Sequence, residues 1–359
     1  MKILIVGGGV FGLSTALSLQ RRGHSVTVFD RLPAPAEDAA STDISKVRLA
    51  LASIEAFKSQ WNPDAERRLG RALYVESGCL FATRTSEMNA FERESFETLA
   101  LGGVRVEKVQ RERVAQLMGL FPEGMLSRTS LLNASAGFAY SGLTIEYVAL
   151  RAQEAGVKFV CGGNAGTFAA FVYSPSNGNT VVGIKTMDGA VHHANRVIVA
   201  AGSWTPSLVP QLRGFYGFPV SDLTGELKVA NHGPGFKSSF HLDTRPASRV
   251  SQPAKSVVTP TAIPKLAVAM YRKVLAHAFP ETNQLDITRT RLCWYCESWD
   301  GNFFIDAVTG MSNCFVATGG SGHGFKFAPV LGDVIADIVE GKPSDFRELF
   351  QWREKPVGV

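Results

Sequence analysis

The 359-residue sequence lacks the features that define several large classes of protein. No apolar run is long enough to cross a membrane, and the N-terminus begins as an apolar strand without the zones of a signal peptide. The net charge is only +5 and its lysines and arginines are scattered, so no basic stripe suited to nucleic acid is present. The last residues are not the peroxisomal tripeptide Ser-Lys-Leu. We therefore expect a cytoplasmic protein that binds neither nucleic acid nor membrane.

Cysteine is scarce as well. Five cysteines are an odd number and too sparse for a disulfide scaffold, which favours a reducing compartment. Cys293 and Cys296 nevertheless stand in a C-x-x-C spacing, which redox dithiols and zinc half-sites share. A zinc site would need a second ligand pair, and Cys314 with a distant histidine offers poor spacing for one. We expect no metal.

Glycine, in contrast, is abundant and forms two clusters. The first follows the apolar run KILIV (2–6), where Gly7, Gly9 and Gly12 satisfy G-x-G-x-x-G. A helical pattern then ends at Gly23, and a second strand, SVTVFD, ends on Asp30. In this arrangement the glycines allow a tight turn, close approach of a pyrophosphate and close helix–strand packing, while the acid accepts a ribose hydroxyl. The predicted cofactor-binding residues of this unit are Gly7, Gly9, Val10, Phe11, Gly12, Asp30 and Arg31.

The middle of the chain favours FAD over NAD. Residues 157–199 are predicted as short strands with turns at Asn177-Gly178 and Asp188-Gly189. They lead into a buried strand, RVIVAAGSW (196–204), which ends in small residues. An inserted meander before such a strand resembles the large FAD-binding family with a glutathione-reductase-like fold, whereas NAD dehydrogenases continue with further β-α units. This resemblance adds three residues to the cofactor site: Ala201, Gly202 and Trp204.

These patterns predict an α/β fold of two domains. A Rossmann-type FAD-binding domain would be discontinuous, built from residues 1–75, 145–210 and 291–359. An α+β substrate domain with a mixed or antiparallel sheet would take residues 76–144 and 211–290.

Six motifs, spread from one end of the chain to the other, carry a more specific resemblance. They are GGGVFGLSTA (7–16), ASTDISKV (40–47), FYGFP (215–219), GELKVANHGPGF (225–236), CWYCESWDGNFFID (293–306) and ATGGSGHGFKF (317–327). With them the chain resembles the monomeric sarcosine oxidase family of flavoenzymes, and within it the fungal fructosyl-amino-acid and saccharopine oxidases. The resemblance implies an FAD-dependent oxidase of a secondary amine, of the N-substituted amino acid type. Its substrates would be that amine and O₂, its products an imine and hydrogen peroxide, and we expect a monomer.

The resemblance also implies a covalent flavin. Cys293 matches the cysteine that is bonded through sulfur to the 8α carbon of FAD, and it precedes Lys326 by 33 residues, as in the family. The second glycine cluster would wrap the pyrimidine edge of the flavin, and Lys326 would face a substrate carboxylate. His323 is a structural or flavin-contacting residue. The cofactor residues implied in this cluster are Gly320, Gly322, His323, Gly324, Phe325 and Lys326.

The remaining implied site residues come from the other motifs. Lys228 would activate O₂, and His232 matches an active-site histidine where fructosyl-amino-acid oxidases more often carry Glu. An arginine that grips the substrate carboxylate is expected at position 49, where this chain has Leu49, and the nearby arginine is Arg48. The basic residue near the flavin and the two aromatic residues of the pocket are Lys46, Tyr216 and Tyr295.

Two segments are shorter than the family pattern, one after Val47 and one after Arg213. The chain is therefore either a trimmed oxidase or a catalytically impaired flavin-binding remnant, the latter including an incomplete gene that lacks parts of the substrate domain. A flavin dehydrogenase or monooxygenase would need an NAD(P)H site, and no second G-x-G-x-x-G unit is visible.

Overall fold

The structure is a computed structural model that describes residues 1–33, 47–82, 90–110, 113, 129–202, 216–220, 227–230, 265–278, 285–288, 290, 298 and 300–353. The strands in chain order are β1 (Lys2–Val6), β2 (Ser25–Asp30), β3 (Tyr74–Val75), β4 (Cys79–Ala82), β5 (Val106–Gln110), β6 (Thr129–Asn133), β7 (Phe138–Ala139), β8 (Lys158–Cys161), β9 (Phe168–Ser174), β10 (Asn177–Thr186), β11 (Val191–His193), β12 (Arg196–Val199), β13 (Tyr216–Val220), β14 (Leu227–Ala230), β15 (Phe304–Ala307) and β16 (Cys314–Thr318).

The α-helices are α1 (Val10–Arg21), α2 (Val47–Ala56), α3 (Asn62–Leu69), α4 (Ala90–Leu101), α5 (Ser141–Glu154), α6 (Gly163–Gly166), α7 (Lys265–Ala278), α8 (Ala328–Glu340) and α9 (Arg347–Phe350). A π-helical turn, Phe57–Trp61, joins α2 to α3, and a 3₁₀ turn, Gly324–Phe327, leads directly into α8. None of the described helices is both long and apolar enough to cross a membrane.

A six-stranded sheet forms the centre of the molecule, in the order β15-β16-β12-β1-β2-β8. All neighbouring strands pair in parallel except β15, which runs antiparallel to β16. The carboxyl ends of β1, β12 and β16 therefore lie at one edge, and each is followed there by small residues. Ligands of open parallel sheets bind at this edge.

Both faces of the sheet are covered, which explains why the four residues of β1 after Lys2 are all apolar and buried. Ile3 and Ile5 pack with α1, α5 and α8 on one face. Leu4 and Val6 face the other side, where the meander β9-β10-β11 contributes Val181 to the core. The predicted strands β1, β2 and β12 are confirmed, and so is the predicted meander that precedes β12 in the chain.

One predicted turn was wrong. Asn177-Gly178 does not form the first hairpin turn of the meander; Asn177 already belongs to β10 and pairs with Ser174. The turn consists of Pro175 and Ser176 instead. Proline presets φ for the first central position of a turn, and this preference outweighed the Asn-Gly signal. The turn predicted at Asp188-Gly189 is confirmed, with Gly189 at φ 89°.

Three smaller sheets complete the described structure: β4-β6-β5, β3-β7 and β13-β14. The last is relevant to the site because it pairs two of the motifs. Tyr216 lies opposite Ala230 and Gly217 lies opposite Val229, so that Tyr216–Val220 and Leu227–Ala230 run antiparallel.

Candidate cofactor and active site

The first glycine loop, residues 7–12, is closed by contacts of backbone against backbone. Gly7 has φ 113°, and a Cβ there would lie 2.3 Å from the carbonyl oxygen of Ala200, at the exit of β12. A Cβ on Gly12 would lie 1.9 Å from the carbonyl oxygen of Gly7. Only glycine fits at either position, which supports the predicted roles of the two glycines in a tight turn and in close helix–strand packing.

Gly9 differs from its neighbours, because a Cβ on it would meet no protein atom within 4 Å. Gly9 is also the N-cap of α1, whose first turn has neither a side-chain cap nor an acidic residue. The first backbone N–H groups of this helix, which include those of Val10 and Phe11, therefore face open space together with the positive end of the helix dipole. Free backbone N–H groups at the positive end of a helix suit a pyrophosphate.

Asp30 is held at the entrance of this loop by two backbone donors. Gly8 N–H donates to Oδ2 at 2.6 Å, and Leu32 N–H donates to Oδ1 at 2.9 Å. The remaining lone pairs of the carboxylate can accept hydroxyl groups, as a ribose requires. Arg31 follows Asp30 and is half-buried. The two loops at the ends of β1 and β2 thus offer complementary parts of a dinucleotide site.

Sequence reasoning missed the neighbours of Asp30 at the end of β8. Gly162 N–H donates to the Asp30 carbonyl oxygen at 2.9 Å, and a Cβ on Gly166 would lie 2.3 Å from that oxygen. Burial raises the pKa of the Cys161 thiol, and the nearby Asp30 carboxylate adds to the effect. The signal in the sequence was the glycine-rich stretch GGNAG at 162–166, whose role depends on the parallel pairing of β2 with β8.

The second glycine loop, residues 319–324, begins where β16 ends. Ser321 has a left-handed φ of 43°, which is rare for a residue with a side chain. Its hydroxyl donates to the Gly319 carbonyl oxygen at 2.9 Å and accepts the Ser298 N–H at 3.0 Å. Ser298 itself is fully buried. These hydrogen bonds hold the loop and attach it to the chain segment that follows Cys293.

The two glycine loops meet at Phe11. A Cβ on Gly320 would lie 3.3 Å from Cε2 of that ring, and one on Gly324 would lie 2.7 Å from it. The ring also packs edge-on against Phe303, with the centroids 5.3 Å apart. The start of α1 and the approach to α8 therefore form one site, and α8 begins directly after it.

His323 lies inside the second loop and is 3% exposed. Its Nδ1 is 2.8 Å from the Ser321 carbonyl oxygen, which can only accept, so Nδ1 carries the proton. The ring stacks on Phe303 with the centroids 5.1 Å apart. These contacts suit the structural role predicted for His323; its role toward a flavin stays a prediction.

Lys326 is presented by the 3₁₀ turn Gly324–Phe327. Its carbonyl oxygen accepts a hydrogen bond from Ser53 on α2, and its ammonium lies 5.6 Å from the centroid of the Phe327 ring. Sequence reasoning missed Ser53, which is buried and has no motif of its own. Leu49, where the resemblance expects an arginine, is 4% exposed and belongs to the core. Phe325 is also buried in this core.

For several predicted site residues the side chain, or the whole residue, lies outside the described part of the chain. Tyr216, Lys228 and Arg48 belong to β13, β14 and α2, and their side chains lie outside the described residues. Ala201 and Gly202 follow β12 at the same edge as the glycine loops. The predicted residues that lie outside the described ranges are Lys46, Trp204, His232, Cys293 and Tyr295.

The described cysteines bear on the zinc alternative. Cys314 is fully buried between the sheet and the meander, and burial raises the pKa of its thiol to about 12. A neutral core thiol is a poor partner for a zinc half-site, because zinc binds thiolates. In the described ranges no cluster of three or more His, Cys, Asp or Glu side chains could hold a metal ion.

Comparison with curated proteins identifies relatives over almost the whole chain. L-saccharopine oxidase of Schizosaccharomyces pombe is 28% identical over 412 aligned positions, which cover 98% of this chain and 93% of the relative. N-methyl-L-tryptophan oxidase of Salmonella enteritidis PT4 is 25% identical over 394 positions, covering 96% of each chain. The 412 positions exceed the 359 residues of this chain, so the first relative has residues that are absent here.

Comparison with solved structures gives the same architecture. Fructosyl peptide oxidase from E. terrenum superposes with a TM-score of 0.81 at 23% identity, covering 99% of this chain and 92% of that one. Amadoriase I, a fructosyl amine:oxygen oxidoreductase from Aspergillus fumigatus, superposes with a TM-score of 0.74 at 23% identity, covering 98% and 89%. The predicted α/β fold is confirmed.

A family model described as FAD dependent oxidoreductase matches residues 2–338. That match includes both glycine loops, Asp30 and the whole central sheet. The predicted resemblance and the predicted FAD dependence are thereby confirmed, and the chain belongs to the family of FAD dependent oxidoreductases.

Proposed function

We propose that this protein is an oxidase of secondary amines that acts on N-substituted amino acids with O₂ as electron acceptor. The observation that carries the proposal is the meeting of the two glycine loops at Phe11, in a chain of this family. The relatives named for saccharopine and N-methyl-L-tryptophan support the substrate class, since both compounds are amino acids with a substituted nitrogen.

The residues of the first glycine loop fit the dinucleotide part of FAD. The start of α1 would bind the pyrophosphate, and Asp30 would accept the ribose hydroxyls. FAD, when bound, supplies the redox chemistry: it takes a hydride equivalent from the carbon next to nitrogen and returns the electrons to O₂ as hydrogen peroxide. The chain supplies orientation and charge. The second glycine loop and the start of α8 would face the flavin and favour negative charge on it.

Substrate binding is assigned to residues on both sides of that loop. Lys326 and Arg48 are the proposed cations for the substrate carboxylate. The proposed pocket residues are Tyr216, Tyr295 and His232, and Lys46 is the proposed basic residue near the flavin. We propose a substrate domain formed from residues 76–144 and 211–290, which contains Tyr216 and His232. It would lie over an FAD domain formed from 1–75, 145–210 and 291–359, which contains Tyr295 and Lys46.

A covalent link between Cys293 and the 8α carbon of FAD is part of the proposal. Its support is that Ser298, five residues further along, bonds to Ser321 of the second glycine loop. Such a thioether would replace the S–H bond of Cys293 and one C–H bond of the flavin methyl group by a C–S bond, and O₂ would accept the two electrons and two protons.

Acid denaturation of the purified protein tests the link and the cofactor together. We expect the yellow colour to remain with the precipitated polypeptide. Flavin released into the supernatant would disprove the covalent link but would not contradict the proposed oxidase function. Protein without any flavin would favour the alternative of an impaired remnant, which the residues missing relative to the S. pombe protein also favour.

Hydrogen peroxide release tests the reaction. A panel of sarcosine, N-methyl-L-tryptophan, saccharopine, L-pipecolate and fructosyl amino acids should include at least one substrate. A protein that binds FAD but releases no peroxide with any of them would contradict the proposed function. We also propose that the enzyme is a cytoplasmic monomer, and size-exclusion chromatography tests the oligomeric state.

Lys228→Met tests the assignment of oxygen activation. A cation near the flavin stabilises the superoxide anion that forms as O₂ accepts the first electron. We expect the variant to slow flavin reoxidation at least tenfold in stopped-flow experiments while flavin reduction stays within a factor of about three. Lys158→Met, which removes an exposed lysine on β8, is the control and should change neither rate. Equal slowing of both half-reactions by Lys228→Met would refute the role.

A further inference from the structure

Ser53 stands on the buried face of α2, where an apolar residue is expected. Leu49 lies one turn before it and Phe57 one turn after it, and both belong to the hydrophobic core. Residues four apart on a helix share one face, and Ser53 is accordingly only 1% exposed. A hydroxyl group in such a place costs free energy unless it is hydrogen-bonded. The group that Ser53 bonds to therefore explains why a serine stands here.

The hydroxyl of Ser53 bonds outside its own helix. A serine in a helical segment can bond to the carbonyl oxygen four residues earlier, as Ser59 does to Glu55 at 2.7 Å. Ser53 instead donates to the carbonyl oxygen of Lys326, 273 residues further along the chain. A hydroxyl has one hydrogen to donate, so this bond uses the whole donor capacity of the side chain. Ser53 thus ties α2 to the 3₁₀ turn Gly324–Phe327.

The carbonyl group of Lys326 lies where the backbone pattern of this turn ends. In a 3₁₀ turn each carbonyl oxygen accepts the N–H three residues later, as Phe325 accepts that of Ala328. For Lys326 the corresponding residue is Pro329, at the second position of α8. Proline has no N–H, so the 3₁₀ pattern cannot continue through Lys326. Ser53 supplies this carbonyl group with a donor from another helix.

A second serine bonds to the same junction from α1. Ser14 is buried and donates its hydroxyl to the carbonyl oxygen of Ala328 at 3.0 Å. That carbonyl lies inside α8, where the α-helical pattern pairs it with the N–H of Gly332. Ser14 therefore adds to a bond that the helix already makes. Ser53 differs, because it serves a carbonyl for which the 3₁₀ pattern has no donor.

The junction determines how the chain presents the side chain of Lys326. The two neighbours in sequence, Phe325 and Phe327, are both buried, which anchors the turn on either side of the lysine. The bond from Ser53 holds the carbonyl oxygen of the peptide group between Lys326 and Phe327, so this peptide group cannot rotate freely. A lysine ammonium ends a flexible four-carbon chain, and the backbone sets the point and the direction from which that chain starts.

We propose that Ser53 is a positioning residue for Lys326: its hydroxyl fixes the peptide group of the turn and thereby the place at which the ammonium meets the substrate carboxylate. The inference rests on the proposed function, which assigns Lys326 to that carboxylate. Ser53 acts through the backbone of Lys326 and is not itself assigned to the substrate. Because a charge-assisted hydrogen bond depends on geometry, a displaced ammonium should weaken the binding of carboxylates and leave the uncharged parts of a ligand bound.

The experiment titrates five flavin-loaded proteins with two probes: wild type, Ser53→Ala, Lys326→Met, the double variant Ser53→Ala/Lys326→Met, and Ser14→Ala. N-acetylglycine carries a carboxylate next to a substituted nitrogen, and N-acetylglycinamide is its uncharged counterpart. The change in flavin absorption measures the binding of each probe. Ser14→Ala is the matched control, because it removes a buried serine hydroxyl from the same junction but leaves the Ala328 carbonyl bonded within α8.

We expect Ser53→Ala to weaken the binding of N-acetylglycine about fivefold and to change that of N-acetylglycinamide by less than about twofold. Lys326→Met should weaken N-acetylglycine binding at least as much. Adding Ser53→Ala to Lys326→Met should cause no further loss, since Ser53 acts through Lys326. Ser14→Ala should bind both probes as the wild type does. Ser53→Cys keeps a weaker donor at similar volume; it should show a smaller loss, and it serves as the test should Ser53→Ala fail to fold.

Three results would overturn the proposal. Equal losses for both probes in Ser53→Ala would mean that the serine supports the fold in general and not the carboxylate site. Additive losses in the double variant would mean that Ser53 does not act through Lys326. Wild-type binding of N-acetylglycine in Ser53→Ala, or in Ser53→Cys where that variant serves as the test, would mean that the bond to the turn does not set the position of the ammonium.

Failure of the proposed function gives a different result. A flavin-loaded protein that releases no peroxide with any amine of the panel contradicts the oxidase, but the titration needs no turnover and still tests Ser53. If the wild type binds the two probes equally, or if Lys326→Met binds N-acetylglycine as the wild type does, Lys326 does not recognise the carboxylate. The role of Ser53 then falls with that of Lys326, while the peroxide measurement still tests the oxidase.

Discussion

The two glycine loops serve the same site but are held in different ways. In the first loop the closest approaches join backbone to backbone: Gly12 approaches Gly7, five residues earlier, and Gly7 approaches Ala200 at the exit of β12. In the second loop they involve side chains that are distant in sequence: the ring of Phe11 and the hydroxyl network of Ser298. A loop of the first kind can be predicted from spacing alone, whereas one of the second kind is understood only when the fold is known.

The largest effect should come from Gly12→Ala, because neither partner of the clash can move independently. A Cβ at this position would lie 1.9 Å from the Gly7 carbonyl oxygen, and both groups belong to the backbone of the β1–α1 unit. We expect the free energy of unfolding of the apoprotein to fall by about 3 kcal/mol or more, the upper end of overpacking costs. Urea denaturation followed by circular dichroism measures it.

Gly142→Ala is the control for this change. Gly142 lies exposed in the first turn of α5, and a Cβ there would meet nothing within 4 Å. Alanine has the higher helix propensity, so this variant should be at least as stable as the wild type. A Gly12→Ala protein as stable as Gly142→Ala would contradict the backbone account of the first loop.

Gly324→Ala should lower the free energy of unfolding by less, about 2 kcal/mol, because its new methyl group would clash with a side chain and not with the backbone. The new methyl group would lie 2.7 Å from Cε2 of Phe11, and that ring can shift at the expense of its packing against Phe303. The second change Phe11→Leu should therefore restore part of the loss. Urea denaturation of both single variants and the double variant gives the coupling between the two positions. Strict additivity would show that Phe11 does not limit the second loop.

This contrast explains which parts of the site could be predicted from the sequence. The strand–glycine–helix–strand–acid order indicated the roles of Gly7, Gly12 and Asp30, because the motif lies within about 30 residues, although it gave no sign of the contact between Gly7 and Ala200. Nothing near Ser53 or Ser298 in sequence indicates that they bond to Lys326 and Ser321, 273 and 23 residues away. Such contacts arise from the parallel sheet and the packing of α2, not from local pattern.

The fold shows the same division. The buried strands and helix α1 were predicted because their apolar periodicity and the glycine that ends the helix are strong signals. The first meander turn was placed two residues late, since Pro175 and the Asn-Gly signal compete over four residues. The ion pair between Arg353 and Asp300 could not be predicted from the sequence, because neither residue belongs to a motif whose spacing indicates the other.

A smaller effect is expected at Ser321. Ser321→Ala keeps the left-handed backbone but removes the hydroxyl that bonds to Ser298 and Gly319, which should lower the free energy of unfolding by about 1 kcal/mol. Ser321→Gly loses the same hydrogen bonds but adopts φ 43° without steric cost, so it should be the more stable variant of the two. Urea denaturation compares them. If Ser321→Ala were the more stable variant, the backbone at this position would not be strained.

Gly9→Ala should leave stability unchanged and affect only the cofactor. Gly9 has φ −80°, which alanine adopts freely, and a Cβ would meet no protein atom within 4 Å. We expect the free energy of unfolding of the apoprotein to stay within about 0.5 kcal/mol of the wild type. FAD affinity should fall at least tenfold, about 1.4 kcal/mol, because the methyl group would occupy the space that a pyrophosphate needs at the start of α1.

Rapid titration of apoprotein with FAD, followed by flavin fluorescence before covalent attachment proceeds, measures that affinity, with Gly142→Ala again as the control. Unchanged affinity would show that the pyrophosphate does not approach Gly9, even if the protein binds FAD. Reduced stability together with reduced affinity would show that Gly9, like Gly12, is needed by the fold. The expected separation assigns different tasks to two glycines three residues apart: Gly12 allows the loop to close, and Gly9 keeps it open to its ligand.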